Sequence, residues 1–411
     1  MRTLSGVFKM NQEISTTQEL ADKYMFKTYG RFPITLVRGK GCRVWDEEGK
    51  AYVDFVGGIA VCSLGHSSPL VTRVLKEQSE KLVHVSNLYY TRPQTDLARL
   101  LVENSFADRV FFCNSGAEAN EAAIKLARRY ASEKFGPDKH VIVSMDNSFH
   151  GRTMATLSAT GQAKIRIGYD PLLEGFRFAP FNDLQALRDA LDDRVCAVIV
   201  EPIQGEGGVV CPDSAYLKGV RDLCDERKIL LIFDEVQVGM GRTGRLFAYE
   251  HFGITPDIMT LAKALGNGLP IGAMLATEEL SQAFGPGSHA TTFGGTPLVA
   301  AVSNAVLKSL LEDGWIDNCR EMGQYLKGKL ENLAKKYSFV KEVRGFGLIL
   351  GMELKFPCAP IVDACIKEGF LINCAHDTVL RFIPPLIVGK EEIDLLAEAL
   401  DRVFDQSNKE R

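Results

Sequence analysis

The stretch Val110-Phe111-Phe112-Cys113-Asn114-Ser115-Gly116-Ala117-Glu118-Ala119-Asn120 decides the fold class. Its first four residues form an apolar run too short for a helix, so they read as a strand covered on both faces. From Ser115 the period changes: Ala119, Ala123, Leu126 and Tyr130 recur on one side of a helix. Ser115 suits the N-cap, and Glu118 three residues on completes a capping-box pattern. Small residues at 116 and 117 would let an anion approach the first helical N–H groups. Any capped helix shares these features, so the stretch alone does not establish a phosphate site.

The same texture continues outward. Val141-Ile142-Val143, Ala197-Val198-Ile199-Val200, Leu230-Leu231-Ile232-Phe233 and Gly272-Ala273-Met274-Leu275 are short apolar runs, with helical periods such as Leu217, Val220, Leu223 and Cys224 between them. This alternation predicts an α/β fold around a mainly parallel sheet. Upstream, Ile34–Val37, Arg43–Trp45 and Ala51–Phe55 read as short strands, the last two joined by the charged turn Asp46–Lys50. Downstream, Met322, Leu326, Leu330 and Leu333 mark a helix, Gly347–Leu350 and Val379–Ile383 read as strands, and Ile393, Leu396, Leu400, Val403 and Phe404 share one face of a closing helix. The two ends are alike in character. We therefore expect residues 1–70 and 306–411 to form one small, antiparallel α+β domain beside a large α/β domain at 71–305.

Composition narrows the function class. The chain has 411 residues, 46% hydrophobic and 24% charged, as in an ordinary globular protein and unlike disordered or fibrous chains. Its net charge of −4 offers no basic surplus for nucleic acid or an anionic membrane surface. No apolar run approaches the ~18 residues of a membrane span. Met1–Ser15 lacks the apolar core of a signal peptide, Met10 offers an alternative start, and a cytoplasmic location is expected. The ten cysteines are scattered without a C-x-x-C pair, so mostly free, partly buried thiols, no patterned disulfide framework and no metal are expected.

Two positions carry chemistry by type and setting. Asp234 and Glu235 end an apolar strand, where open α/β sheets bind ligands, although a strand-end cap would look the same. Lys263 lies within Leu261-Ala262-Lys263-Ala264-Leu265. Burial depresses a lysine's pKa and makes it a candidate for bonding a carbonyl, the plainer alternative being a side chain reaching out to water. Gly239-Met240-Gly241-Arg242-Thr243-Gly244 matches G-x-G-x-x-G and raises a nicotinamide-dependent oxidoreductase as a rival. Two carboxylates precede it, no clean helical register follows it, and it lies past the midpoint of the chain, all of which weigh against that rival.

Taken in order, Ser115-Gly116-Ala117-Glu118-Ala119, Phe149-His150-Gly151-Arg152-Thr153, Glu201-Pro202-Ile203-Gln204-Gly205-Glu206-Gly207-Gly208, Asp234-Glu235-Val236-Gln237 and Leu261-Ala262-Lys263 resemble the class III, pyridoxal-phosphate-dependent aminotransferases across nearly the whole chain. The resemblance implies a fold-type-I transferase with pyridoxal 5'-phosphate as cofactor. It assigns Lys263 to covalent attachment and proton shuttling, and Asp234 to the ring nitrogen. Gln237 goes to the ring oxygen, Phe149 to the ring face, and Gly116 and Ala117 to the phosphate, with Glu235 among the cofactor-binding group. Thr292 would complete the phosphate cup from a partner subunit, making the functional unit a homodimer. Arg152, with Thr291 nearby, would take the substrate carboxylate. Arg381 would take that of 2-oxoglutarate, masked at other times by Glu206.

Within the class, Val85-Ser86-Asn87-Leu88-Tyr89-Tyr90, Phe149-His150-Gly151-Arg152-Thr153 and Leu380-Arg381-Phe382-Ile383-Pro384-Pro385 are most similar to members acting on N2-acetylornithine and 2-oxoglutarate. Succinyldiaminopimelate, succinylornithine, ornithine and 4-aminobutyrate are rival donors. Asn267 stands where relatives often carry Gly, and Thr296-Pro297 where Asn-Pro is usual; both departures bear on loop conformation.

Overall fold

The computed structural model describes residues 16–409. The expectations about Met1–Ser15, Met10 included, lie outside the described residues. The strands β1 (Leu36–Lys40), β2 (Arg43–Asp46) and β3 (Ala51–Asp54) come first. The charged turn between β2 and β3 is held by Asp46, whose Oδ1 accepts the Glu48 and Lys50 N–H groups at 3.1 and 2.8 Å. The central sheet contains β4 (Arg109–Cys113), β5 (Val141–Met145), β6 (Phe176–Ala179), β7 (Val195–Val200), β8 (Leu230–Asp234), β9 (Ile258–Leu261) and β10 (Gly272–Ala276).

In space the order is β4-β10-β9-β8-β7-β5-β6. β6, β5, β7, β8 and β9 pair in parallel, as the apolar runs predicted. β10 runs antiparallel to both β9 and β4. Only residues 262–271 separate β9 from β10, too few for the covering helix that a parallel crossover needs. The helix Gly116–Phe135 lays Ala119, Ala122, Ala123, Leu126 and Ala127 against the sheet, all essentially fully buried. Those small side chains let the helix axis approach closely, which fixes the position of its N-terminus over the end of β4.

The later strands are β11 (Val340–Phe346), β12 (Ile349–Leu354), β13 (Phe370–Leu371), β14 (Asn373–Ala375) and β15 (Val379–Phe382). β11-β12-β15-β14 form one antiparallel sheet, and β13 joins β1-β2-β3 in another. β13 pairs with β3 in parallel, Phe370 opposite Val53, where an antiparallel arrangement was expected. The two strands come from opposite ends of the chain, so no tight turn dictates their sense. The helices Trp315–Lys336 and Lys390–Lys409 bury the predicted apolar faces.

The cysteine expectation needs correction at one pair, and the glycine-rich segment behaves as expected. Cys358 and Cys374 form a disulfide, although their separation of 16 residues matches no short cysteine motif. The other eight described cysteines are free. The G-x-G-x-x-G segment opens no helix: residues 236–247 are turns and bends. The buried Arg242 guanidinium instead donates to the Leu348 and Pro384 carbonyls at 3.0 and 2.5 Å, tying this segment to the C-terminal strands.

Candidate active site

The carboxyl ends of β4, β5, β7, β8 and β9 open onto one cavity of about 470 Å3. Each strand end contributes side chains or backbone: residues 114–117, Phe149 to Arg152, Glu201 with Glu206, Asp234 with Gln237, and Ala262 with Lys263. Residues far apart in sequence thus meet because parallel strands all end on the same edge.

Asp234 sits on the cavity floor, 4% exposed. Its Oδ2 accepts Asn120 Nδ2 at 2.7 Å and faces His150 Nδ1 at 2.8 Å, while Oδ1 takes the Val236 N–H at 3.0 Å. Asn120 is itself fixed by Thr260, whose hydroxyl donates to its Oδ1 at 2.8 Å. The carboxylate is thereby aimed and still has acceptor capacity toward the cavity, which suits a protonated ring nitrogen. Glu201 accepts the Phe149 and Gly205 N–H groups at 2.9 and 3.1 Å. Burial pushes its carboxyl up to about 7.

At the opposite wall the helix Gly116–Phe135 begins. Ser115 caps it as expected, its Oγ accepting the Glu118 N–H at 3.2 Å. Glu118 does not close the reciprocal half of the box; its carboxylate takes the Asn114 N–H and Nδ2 at 2.6 and 2.8 Å. The first N–H groups of a helix have no partner within it, so those of Gly116 and Ala117 are free to meet an anion. A Cβ at Gly116 would lie 2.7 Å from Val236 Cγ1, so only glycine keeps this wall in place. An anion at the helix N-terminus and a cation-accepting carboxylate on the floor match the two ends of pyridoxal phosphate, and the residues present fit that group.

Lys263 follows β9 in the left-handed region, with φ of +46°, a strained conformation for a side-chain-bearing residue. Its amine makes no hydrogen bond or ion pair among the described residues. Burial lowers its pKa and Arg381 adds to this, against the raising effect of Glu206, Asp234 and Glu201. A larger fraction is therefore the neutral, nucleophilic amine at neutral pH than for an exposed lysine. Reductive methylation of cofactor-free protein near pH 7, read by peptide mass spectrometry, is expected to label Lys263 ahead of Lys134, whose pKa the Glu279 carboxylate raises. Equal rates would contradict a neutral Lys263.

Beside it, Arg381 on β15 is 1% exposed and donates from Nη1 to Glu206 Oε1 at 2.6 Å and to Gln237 Oε1 at 3.1 Å. Gln237 Nε2 donates to the same Glu206 oxygen at 3.2 Å. The guanidinium overcomes the cost of burial and holds the Glu206 carboxyl below its usual range. Arg152 lies at the mouth, exposed, with its guanidinium carbon 5.6 Å from the Phe149 ring centre.

The remaining expected residues are placed differently. Glu235 does not line the cavity: it points the other way along the strand end, taking the Ala248 and Tyr249 N–H groups at 2.6 and 2.8 Å. Successive side chains of an extended segment alternate in direction, so Asp234 and Glu235 cannot both face the ligand. Thr291 accepts Asn114 Nδ2 at 2.9 Å, one step behind the wall. Thr292 lines a separate cleft with His84, Asn87 and Gln94, away from Lys263 of its own chain. The departures are accommodated locally. Asn267 has φ of +44° and its Oδ1 takes the Leu64 N–H at 2.7 Å, while Thr296 donates to the Val83 carbonyl at 2.9 Å. Sequence reasoning assigned no role to Asn120, Thr260 or Glu201; only the convergence of strand ends reveals them.

The family described as aminotransferase class III matches residues 24–404. A relative from Methanocaldococcus jannaschii named acetylornithine aminotransferase is 55% identical over 394 residues, 95% of this chain and 98% of the relative. One of the same name from Caldanaerobacter subterraneus is 53% identical, covering 93% and 98%. Among solved structures, the N-acetylornithine aminotransferase of Stenotrophomonas maltophilia is 40% identical with a TM-score of 0.83, covering 96% of this chain and all of the other. The ornithine aminotransferase of Toxoplasma gondii is 34% identical with a TM-score of 0.93, covering 97% of each. Matching family, fold and strand-end chemistry leave the nicotinamide alternative without support. The chain belongs to the class III aminotransferases and is a pyridoxal-phosphate-dependent transaminase.

Proposed function

We propose that this enzyme transfers the 5-amino group of N2-acetylornithine to 2-oxoglutarate, a step of arginine biosynthesis. The observation that carries the reading is two arginines beside one buried lysine, Arg152 open at the mouth and Arg381 paired with Glu206. Guanidinium groups bind carboxylates bidentately, so each arginine can orient one α-carboxylate. Arg152 holds that of acetylornithine and leaves the far amine beside Lys263, with Thr291 supporting the wall. Glu206 keeps Arg381 neutralised while this donor enters. When 2-oxoglutarate binds, Glu206 swings away and Arg381 takes its α-carboxylate.

Bound in this cavity, pyridoxal phosphate supplies a protonated ring that withdraws electrons from the substrate carbon. Asp234 keeps the ring nitrogen protonated, Gln237 orients the ring oxygen, and Phe149 covers the ring face. Gly116 and Ala117 hold the phosphate through their N–H groups. Lys263 anchors the cofactor and then, as a neutral amine, takes and returns the substrate proton.

Thr292 completes the phosphate cup of a partner subunit in a homodimer. Large apolar side chains near its cleft support this: Leu88, Tyr90 and Phe293 are 84, 99 and 60% exposed in the single chain. The division at residues 70 and 305 is proposed on the same footing, with the β3–β13 pairing as its support, and a cytoplasmic location is likewise proposed. Among the described residues no helix is long and apolar enough to cross a membrane.

Seven curated relatives named acetylornithine aminotransferase stand at 48–55% identity. A relative from Pseudomonas aeruginosa, 47% identical, is named for both succinylornithine and acetylornithine, which makes succinylornithine the first rival donor to test. Steady-state kinetics with acetylornithine, succinylornithine, succinyldiaminopimelate, ornithine and 4-aminobutyrate test the reading. The highest kcat/KM is expected for acetylornithine; a preference for free ornithine would overturn it. Arg152→Ala is expected to lower kcat/KM for acetylornithine by ~10- to 100-fold, the loss of one charge-assisted carboxylate contact, with cofactor affinity nearly unchanged. Unaltered kinetics would remove Arg152 from the substrate site.

A further inference from the structure

The Glu206 loop is seated on the strand row that carries Arg381. The neck of the loop is closed by reciprocal bonds of 3.0 Å between the Gln204 and Val210 backbones. Across the sheet, Arg344 of β11 lies opposite Gly351 of β12, which lies opposite Arg381 of β15. All three positions touch the loop or its carboxylate. Arg344 Nη2 donates to the Gly208 carbonyl at 2.8 Å and Nε to the Val209 carbonyl at 3.1 Å. Its Nη1 is held by Glu353 at 2.7 Å and Glu342 at 3.0 Å. At Gly351 an added Cβ would lie 2.9 Å from Val209 Cβ and 3.1 Å from Val379 Cγ1, so the missing side chain is the socket for Val209. Val209 itself is held at φ of +52°, an unfavourable conformation for a β-branched residue that persists only where its surroundings impose it. Arg381 then meets Glu206 at 2.6 Å.

We propose that Arg344 and Gly351 are positioning residues for substrate alternation. They fix the loop backbone in register with Arg381, so the Glu206 side chain alone moves between masking and release. A loop free to lift would mask Arg381 less completely and bias the site toward dicarboxylates. This inference rests on the reading of Glu206 and Arg381 as the alternating pair.

The test compares Arg344→Met, Gly351→Ala and Glu206→Gln holoenzymes in two readouts. One is kcat/KM for acetylornithine; the other is the equilibrium dissociation constant of glutarate, a dicarboxylate that cannot be aminated. Arg344→Met and Gly351→Ala are each expected to lower the first about tenfold and to tighten glutarate several-fold, without moving the 2-oxoglutarate KM upward. Glu206→Gln is expected to shift both in the same directions. If Glu206→Gln shifts them and neither seat variant does, the seat is wrong and the alternating pair stands. If Glu206→Gln leaves glutarate affinity unchanged, the alternating pair itself fails. A seat variant that weakens both substrates equally marks Arg344 and Gly351 as merely structural and overturns the proposal. Gly351→Ala changes a single methyl group and keeps the test available should Arg344→Met fold poorly.

Discussion

Replacing Lys263 with alanine is expected to reduce transamination by at least ~10³-fold, since the variant loses both the covalent anchor and a proton carrier that general acid–base catalysis values at 10²–10⁴. The expectation follows from the position of the amine. It is the lysine in the cavity lining, it has no hydrogen-bond or ion-pair partner among the described residues, and burial lowers its pKa toward the neutral form. The strained φ of +46° indicates that the surrounding structure fixes the residue at some cost to itself. The fold is expected to survive, because the amine makes no hydrogen bond or ion pair among the described residues and lines a cavity. Activity of purified Lys263→Ala, measured beside its melting temperature, checks both halves. Full activity would remove Lys263 from the chemistry, and a large loss of stability would make the activity loss uninterpretable as catalysis.

The second large effect is expected at Asp234. Asp234→Asn retains size and some hydrogen bonding but removes the negative charge opposite the ring nitrogen. Breaking a buried charge pair by removing one partner costs about 3–5 kcal/mol, equivalent to a loss between roughly a hundredfold and several thousand-fold in cofactor affinity, in rate, or shared between them. The neighbours sharpen the expectation. Asn120 Nδ2 at 2.7 Å and His150 Nδ1 at 2.8 Å both face Asp234 Oδ2. An asparagine that turns its amide nitrogen toward them meets the Asn120 donor, and one that turns it the other way meets the Val236 N–H that Oδ1 accepts at 3.0 Å, so either orientation loses a hydrogen bond. In either orientation the negative charge opposite the ring nitrogen is gone, and a protonated ring is disfavoured. Cofactor titration followed by single-turnover rates separates the two contributions. Wild-type values in both would contradict the assignment.

Much of this site was legible because its parts are local in sequence. Asp234 ends an apolar strand, Lys263 interrupts an apolar segment, and Ser115 caps a helix directly after a strand. Each of those readings needs only a few neighbouring residues. Pairing sense was less legible: Gly272–Leu275 shows the same apolar run whether its strand is parallel or antiparallel, and only the short link from β9 decides it. Facing direction at a strand end is also hidden: Glu235 adjoins Asp234 in sequence, yet its carboxylate turns away to satisfy the Ala248 and Tyr249 N–H groups. The supports of Asp234 are still less local. Asn120, His150 and Thr260 come from a helix, a loop and a strand, and nothing in any one of those segments indicates that they meet. The same holds for the Arg344–Gly351–Arg381 row, which exists only in the register of three strands.

The central claim is that one site handles two carboxylate substrates in turn, taking an amine from the first and giving it to the second. A single-turnover experiment tests it most directly. Holoenzyme mixed with excess N2-acetylornithine and no 2-oxoglutarate is expected to release one equivalent of the aldehyde product per active site and then stop. Addition of 2-oxoglutarate alone, after removal of the donor, is expected to yield one equivalent of glutamate. Aldehyde formation that continues without 2-oxoglutarate, or glutamate that appears only when both substrates are present together, would contradict the account.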